Sequence, residues 1–118
     1  MANEVSWLLE VAVKPGALDG FKVLMKEMVK STLDEPGTLS YEWFITDDGK
    51  AVHVYERYSD SPATLIHLGH FGEKFAAGFL GAVDPTRLTV FGRPNDAVKS
   101  GLAAFKPTYL VPFGGFAR

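Results

Sequence analysis

His67 and His70 stand three residues apart in IHLGHFGEKF, a stretch whose apolar residues recur at helical spacing. Three apart on a helix is one face. An imidazole there can take a proton near neutral pH, or hold a phenolate by a hydrogen bond. The plainer role for His67 is a polar cap on an apolar helix, satisfied by a carbonyl or a carboxylate. His70, beside the break at Gly69, is either a substrate contact or an ordinary structural histidine. Glu56 lies mid-segment between Tyr55 and Arg57. A carboxylate buried there needs a partner. It either orients His67, as carboxylates orient catalytic imidazoles, or pairs structurally with backbone amides or an arginine such as Arg87. His53, three residues before Glu56 on the same strand, faces the other way. It reads as a strand-surface or dimer-interface histidine. With His53 turned away and only a helical HxxH left, no metal site is expected.

Trp43, Tyr41, Tyr55, Phe71, Phe75 and Phe79 supply enough aromatic surface to line a flat cavity. Plain core is the alternative for most of them. Trp43 is the preferred pocket residue, because a buried indole N–H needs an acceptor. Phe71, Phe75 and His70 are the other expected substrate contacts.

Several chemistries are excluded at once. The chain has no cysteine, hence no disulfide, thiolate nucleophile or Cys-ligated metal site. It carries no GxGxxG and no P-loop, and Gly114-Gly115 opens no helix. Net charge is −2. Lys22, Lys26 and Lys30 share a helix face, but Asp19 and Glu27 dilute it to a solvated stripe, so nucleic acid is not an expected partner. MANEVSW lacks the basic and apolar regions of a signal peptide, and no apolar run reaches membrane-spanning length. A cytoplasmic protein with no membrane partner is expected.

The elements that must position these residues fit one domain of 118 residues. Val5 to Val13 reads as a strand apolar on both faces. Ala17 to about Leu33 reads as an amphipathic helix, with Phe21, Leu24, Met25, Met28 and Val29 as its stripe. Glu35-Pro36-Gly37 stops it. Thr38 to Thr46 and Ala51 to Tyr58 form a hairpin around Asp47-Asp48-Gly49-Lys50. Asp60 or Ser61 caps a helix with Pro62 in its first turn. That helix runs to about Val83, divided by Gly69 and Gly72, with Phe71, Phe75 and Phe79 as its buried stripe. Asp84-Pro85 is a turn and Thr86 to Gly92 a fourth strand. Asn95 caps a helix to about Phe105, and Thr108 to Val111 is a terminal extended segment.

The order β-α-β-β-α-β is a split βαβ. It predicts an α+β, ferredoxin-like domain over residues 1–105, a four-stranded antiparallel sheet with helices on one face. Residues 106–118 form an extended C-terminal arm, expected to reach a partner chain. The second sheet face is expected to be too apolar for water, on the strength of Trp7, Tyr41, Trp43 and Tyr55. A second copy of the chain is the economical cover.

VAVKPGALDGF, EPGTLSYEWF, YERYSDSPATL and IHLGHFGEKF, in this order and at these spacings, resemble the antibiotic biosynthesis monooxygenase domain of the dimeric α+β barrel superfamily. The resemblance implies a homodimer through the sheet faces, with a pocket between sheet and helices in each subunit. It implies oxidation of a small aromatic, quinol- or anthrone-like compound by O₂ without metal, flavin or haem. It carries over to His67 as base or phenolate holder and to Glu56 as its strand carboxylate. Haem-degrading members of the superfamily differ: Asn3 precedes the first strand, and His67 stands where they place a tryptophan. A non-catalytic dimeric binding or stress-related protein on the same fold is the alternative from another class.

Overall fold

The computed structural model describes residues 3–118; the first two residues, where the stretch read for a leader begins, lie outside them. Five strands and four α-helices follow in chain order. β1 is Val5–Val13, α1 Leu18–Leu33, β2 Thr38–Ile45 and β3 Ala51–Tyr58. α2 spans Ser61–His70 and α3 Ala76–Ala82, joined by one π-helical turn at Phe71–Phe75. β4 is Val83–Phe91, α4 Asp96–Leu102 and β5 Thr108–Leu110.

The expected β-α-β-β-α-β order is present, but the sheet has five strands, in the order β2-β3-β1-β4-β5. β5 runs parallel to β4, while every other pair is antiparallel. The sheet is therefore mixed rather than four-stranded and antiparallel. Turn residues alone gave no sign of that pairing, because a three-residue strand carries almost no alternation.

Two other boundaries move. Asp84-Pro85 lies inside β4 and not in a turn, where the pairing with β1 shifts register: Glu10 meets Arg87 and Val11 meets Pro85, leaving Thr86 of β4 as the extra residue. Such a bulge lets a strand accept a proline. The long helix is divided by the π turn, which contains Gly72, while Gly69 stays within α2. The extra residue breaks the four-residue phenylalanine rhythm. Phe79 is buried, and Phe71 and Phe75 are only half-buried.

Strand alternation sorts the sheet cleanly. Val5, Trp7, Leu9 and Val11 of β1 point under the helices with Val52, Val54, Glu56 and Tyr58 of β3. Trp7 and Tyr41 flank Glu56 in register, and Leu9 and Trp43 flank Val54. So Trp7, Tyr41 and Trp43 belong to the helix side, not to the open face expected for them from their apolar character. The open face carries Leu8 and Tyr55 in register with Glu42 and Thr89, and Glu10 and His53 in register with Phe44 and Arg87. That face is amphipathic. Arg87 is thus placed opposite Glu10, away from Glu56.

Asp60 caps α2 through the Ala63 amide at 2.9 Å, and Asn95 caps α4 through the Val98 amide at 3.0 Å. Gly37 lies against α2 so closely that an added Cβ would stand 2.4 Å from that of Ala63. This contact draws the segment after α1 onto the helix that carries the histidines.

Candidate active site

Glu35 follows the last turn of α1, Glu56 lies on β3 and His67 sits on the sheet-facing side of α2. All three are about 95% buried. The His67 Nδ1–H donates to Glu35 Oε1 at 2.9 Å, and Nε2 lies 3.3 Å from Glu56 Oε1. The predicted pair of His67 and Glu56 therefore meets. The residue that grips His67 more closely is Glu35, which sequence reading took only as part of a helix stop.

Glu35 is held by three donors. Thr38 Oγ1 donates to Oε1 at 2.8 Å, and His70 Nδ1 donates to Oε2 at 2.7 Å. Burial pushes the Glu35 carboxyl upward. The hydrogen bonds from His67 and His70, with the His67 charge and Thr38, outweigh it and hold the pKa at about 2. His67 shows the mirror image. Burial pushes the imidazole downward, but the hydrogen bonds to Glu35 and then Glu56, with both charges, raise its pKa to about 9. At neutral pH it is an imidazolium clasped between two carboxylates.

Glu56 Oε1 also accepts from Tyr58 Oη at 2.5 Å. Burial and the Glu56 charge raise the Tyr58 phenol well above its usual range, so it remains a donor. Tyr41 is likewise pushed upward, by burial first and then by the Glu56 charge. The rings of Tyr41 and Tyr58 each lie 5.2 Å from the His67 ring. The imidazolium is thus packed against two aromatic rings.

A cavity opens beside this group, between sheet and helices. Trp7 and Trp43 border it from the sheet, Phe71 and Phe79 from the helical side, and Glu56 and His67 supply its charged groups. The Tyr58 and His67 contacts both fall on Oε1 of Glu56, and Oε2 takes neither. Trp43 Nε1 is buried with no hydrogen-bond partner, the one such side-chain atom among the described residues. The cavity is small: the centres of water-sized spheres sweep about 40 Å³. At roughly 10–15 Å³ per water that is room for about three waters. The π turn at Phe71–Phe75 forms part of its rim, and such turns concentrate at functional sites.

The other expected contacts divide. Phe71 lines the cavity; Phe75 packs on the core without lining it. His70 is outside the cavity, tied to Glu35 and 39% exposed at its side chain. His53 lies on the open face, 3.5 Å from Glu10. Tyr55 is also on that face. Among the described residues no group of three or more His, Asp or Glu side chains is arranged to hold a metal ion. None of their helices is long and apolar enough to cross a membrane.

Over residues 5–79 the sequence matches the family described as antibiotic biosynthesis monooxygenase, and the chain belongs to that family. Its fold is shared with MupZ from Pseudomonas fluorescens, at 24% identity and a TM-score of 0.86, over 98% of this chain and 95% of that one. It is also similar to Rv0793 from Mycobacterium tuberculosis, at 25% identity and 0.67, over 80% and 98% of the two chains. SnoaB, a cofactor-independent oxygenase from Streptomyces nogalater, shares the fold at 17% identity and 0.67, over 80% and 96%. No curated protein matches the chain.

Proposed function

We propose that the protein is a cofactor-independent monooxygenase that oxidises a small phenolic substrate, quinol- or anthrone-like, with O₂. The observation that carries the reading is that one apolar cavity is bordered both by Trp43, whose indole N–H has no partner, and by the Glu56 carboxylate, which stands beside a buried cation. A substrate oxygen answers the first group and a substrate proton the second.

In this reading Glu56 is the base, because both nitrogens of His67 are already turned to carboxylates. His67 keeps the role of charge holder. The substrate proton passes to Glu56, and the negative charge moves to the substrate oxygen, where Trp43 and the imidazolium steady it. A carboxylate is a weaker base than a phenolate, so the transfer runs uphill and depends on the groups that hold the developing anion. The anion then reduces O₂. One oxygen atom bonds to the substrate carbon, and the other leaves as water with two substrate hydrogens, one of them the proton held by Glu56. In an anthrone both come from the CH₂ that becomes a carbonyl, in a quinol from a ring C–H and a hydroxyl. The substrate supplies all the electrons. The chemistry named for SnoaB supports this assignment.

The amphipathic open face supports the family's homodimer, with a second copy covering Leu8 and Tyr55. The size of the cavity favours one other reading, a dimeric binding protein without turnover. Oxygen uptake by the purified protein with a panel of anthrones and quinols separates the two. Turnover that is lost in Glu56→Gln supports the oxygenase. No uptake with any member of the panel, or wild-type rates in Glu56→Gln, rules out proton transfer to Glu56 as the route to O₂ reduction.

A further inference from the structure

A second concavity lies on the outer side of Trp43. α1 packs over the β2 side of the sheet, and the groove runs between the helix and that edge. Leu18, Phe21 and Met25 line the helix side of the resulting groove. Their spacing of three and four puts them on one helical stripe. Trp43, Ile45 and Val52 form the sheet side, on the inward face of β2 and β3. The groove is roomier than the inner cavity, with about 220 Å³ open to the centres of water-sized spheres against about 40 Å³.

Its rim is not neutral. Lys22 and Lys26, one turn apart on α1, both border it. Neither makes an ion pair with a described residue. Asp19 and Glu27, which dilute the lysine stripe in the sequence, do not line the groove, and neither does Asp48, which is bound to Thr46 and the Lys50 amide. Ile45 is 51% exposed at the groove. An apolar bed beside two unpaired cations is complementary to one kind of small molecule.

We propose that this groove is a second binding site, for an apolar organic acid. Its hydrocarbon or aromatic body lies on Phe21, Met25, Trp43 and Ile45, and its acidic group meets Lys22 and Lys26. Trp43 is the wall between the two sites, since its ring borders both. The groove contains none of the groups assigned to proton transfer, so the site stands whether or not the protein turns over a substrate.

The test compares two probes with the same aromatic body. 8-Anilinonaphthalene-1-sulfonate carries an acid, and N-phenyl-1-naphthylamine does not. Titrated into the full-length protein, the sulfonate is expected to bind one site per chain about tenfold tighter than the neutral probe, the sum of two partly solvated ion contacts. In the Lys22→Gln/Lys26→Gln variant the two probes are expected to bind alike. Ile45→Glu, a change at an exposed position, is expected to lose both. Glu56→Gln is expected to leave both affinities unaltered. Equal binding of the two probes to the wild type overturns the proposal. So does a preference for the sulfonate that survives loss of both lysines, binding that survives Ile45→Glu, or binding that disappears in Glu56→Gln.

Discussion

Glu35 and His67 meet at 2.9 Å across 32 positions of chain, both almost wholly buried. Each explains the other's ionisation. The carboxylate is pulled below its ordinary range by an imidazolium, and the imidazolium is kept by the carboxylate. Because His70 and Thr38 also donate to Glu35, both oxygens of that carboxylate have a donor. A buried charge pair is stable only when its remaining valences are satisfied. Glu35 meets that condition through residues from the start of β2 and the end of α2.

Stability is expected to be greatest between about pH 4.5 and 6.5. The folded pKa of His67, about 9, stands above its ordinary 6.5. Its contribution is therefore full below pH 6.5 and is lost as pH rises through about 9. The folded value for Glu35, about 2, stands below its ordinary 4.5. Its contribution is full above pH 4.5 and lost as pH falls through about 2. Each limb is worth about 3 kcal/mol at most, and both report one shared interaction, so they do not add. Urea unfolding measured from pH 3 to 9 checks this. A midpoint that does not change between pH 6 and 9 contradicts the raised His67 value.

Replacing Glu35 with glutamine keeps the shape and removes the charge. The His67 imidazole then loses its nearer counter-ion while Glu56 stays 3.3 Å away. Its pKa is expected to fall from about 9, and stability at pH 6 to drop by about 3 kcal/mol, as when one partner of a buried pair is removed. An NMR titration of the imidazole, paired with denaturant unfolding, reads both effects. A His67 titration unchanged by Glu35→Gln contradicts the geometry.

Much of this site was legible in the sequence, and the unread part has a physical cause. His67 and Glu56 stood out because each is a polar group inside an apolar periodic stretch. Trp43 stood out because an indole N–H is costly to bury unpaired. Glu35 did not, because Pro36 and Gly37 gave it a complete local explanation as a helix end. The contact that joins it to His67 spans 32 residues and has no local signature. The same holds for β5, whose three residues pair with β4 through a connection that no alternation announces. Placing Trp7, Tyr41 and Trp43 on the open face had a different cause. Alternation fixes which residues share a face, but not which face the helices cover.

Gly37→Ala tests how the Glu35 segment is held. An added Cβ would stand 2.4 Å from the Ala63 Cβ, well inside contact distance, so the segment or α2 must move. The expected result is a loss of about 1–3 kcal/mol from overpacking together with a fall in the His67 pKa, because the movement opens the Glu35–His67 contact. Gly37→Ala/Ala63→Gly removes the clash and is expected to restore the His67 titration. A double variant as perturbed as the single one would show that the close approach is not what seats Glu35.

The open face of the sheet is expected to be covered by a second copy of the chain. Leu8 and Tyr55 stand in register at its centre, between Glu42 and Thr89. A charge introduced at the centre of such a patch is buried unpaired if the faces meet, and is solvated harmlessly if they do not. Sedimentation of the wild type is expected to give a dimer, and Leu8→Asp a folded monomer. A wild-type monomer at micromolar concentration contradicts the cover.

Trp43→Phe separates binding from stability more sharply than any other single change. The indole N–H is buried and unpaired, so it contributes nothing to the resting fold and leaves a desolvated donor uncompensated, at about 1–3 kcal/mol. Phenylalanine keeps an aromatic ring against Phe21 and Phe79, which lie 5.8 and 6.3 Å from the Trp43 ring. It also leaves some space where the larger ring stood, and that loss offsets part of the gain. Stability is therefore expected to stay within about 1 kcal/mol of wild type or to rise. Turnover of a phenolic substrate is expected to fall by about tenfold to a hundredfold, because a hydrogen bond to a charged oxygen is worth about 1.5–3 kcal/mol. The fall should appear in kcat more than in KM, since the bond strengthens as the oxygen gains charge. Oxygen uptake and denaturant unfolding of the same preparation give both numbers. Unchanged kcat in a fully folded Trp43→Phe protein would show that the free N–H does not face the reacting oxygen.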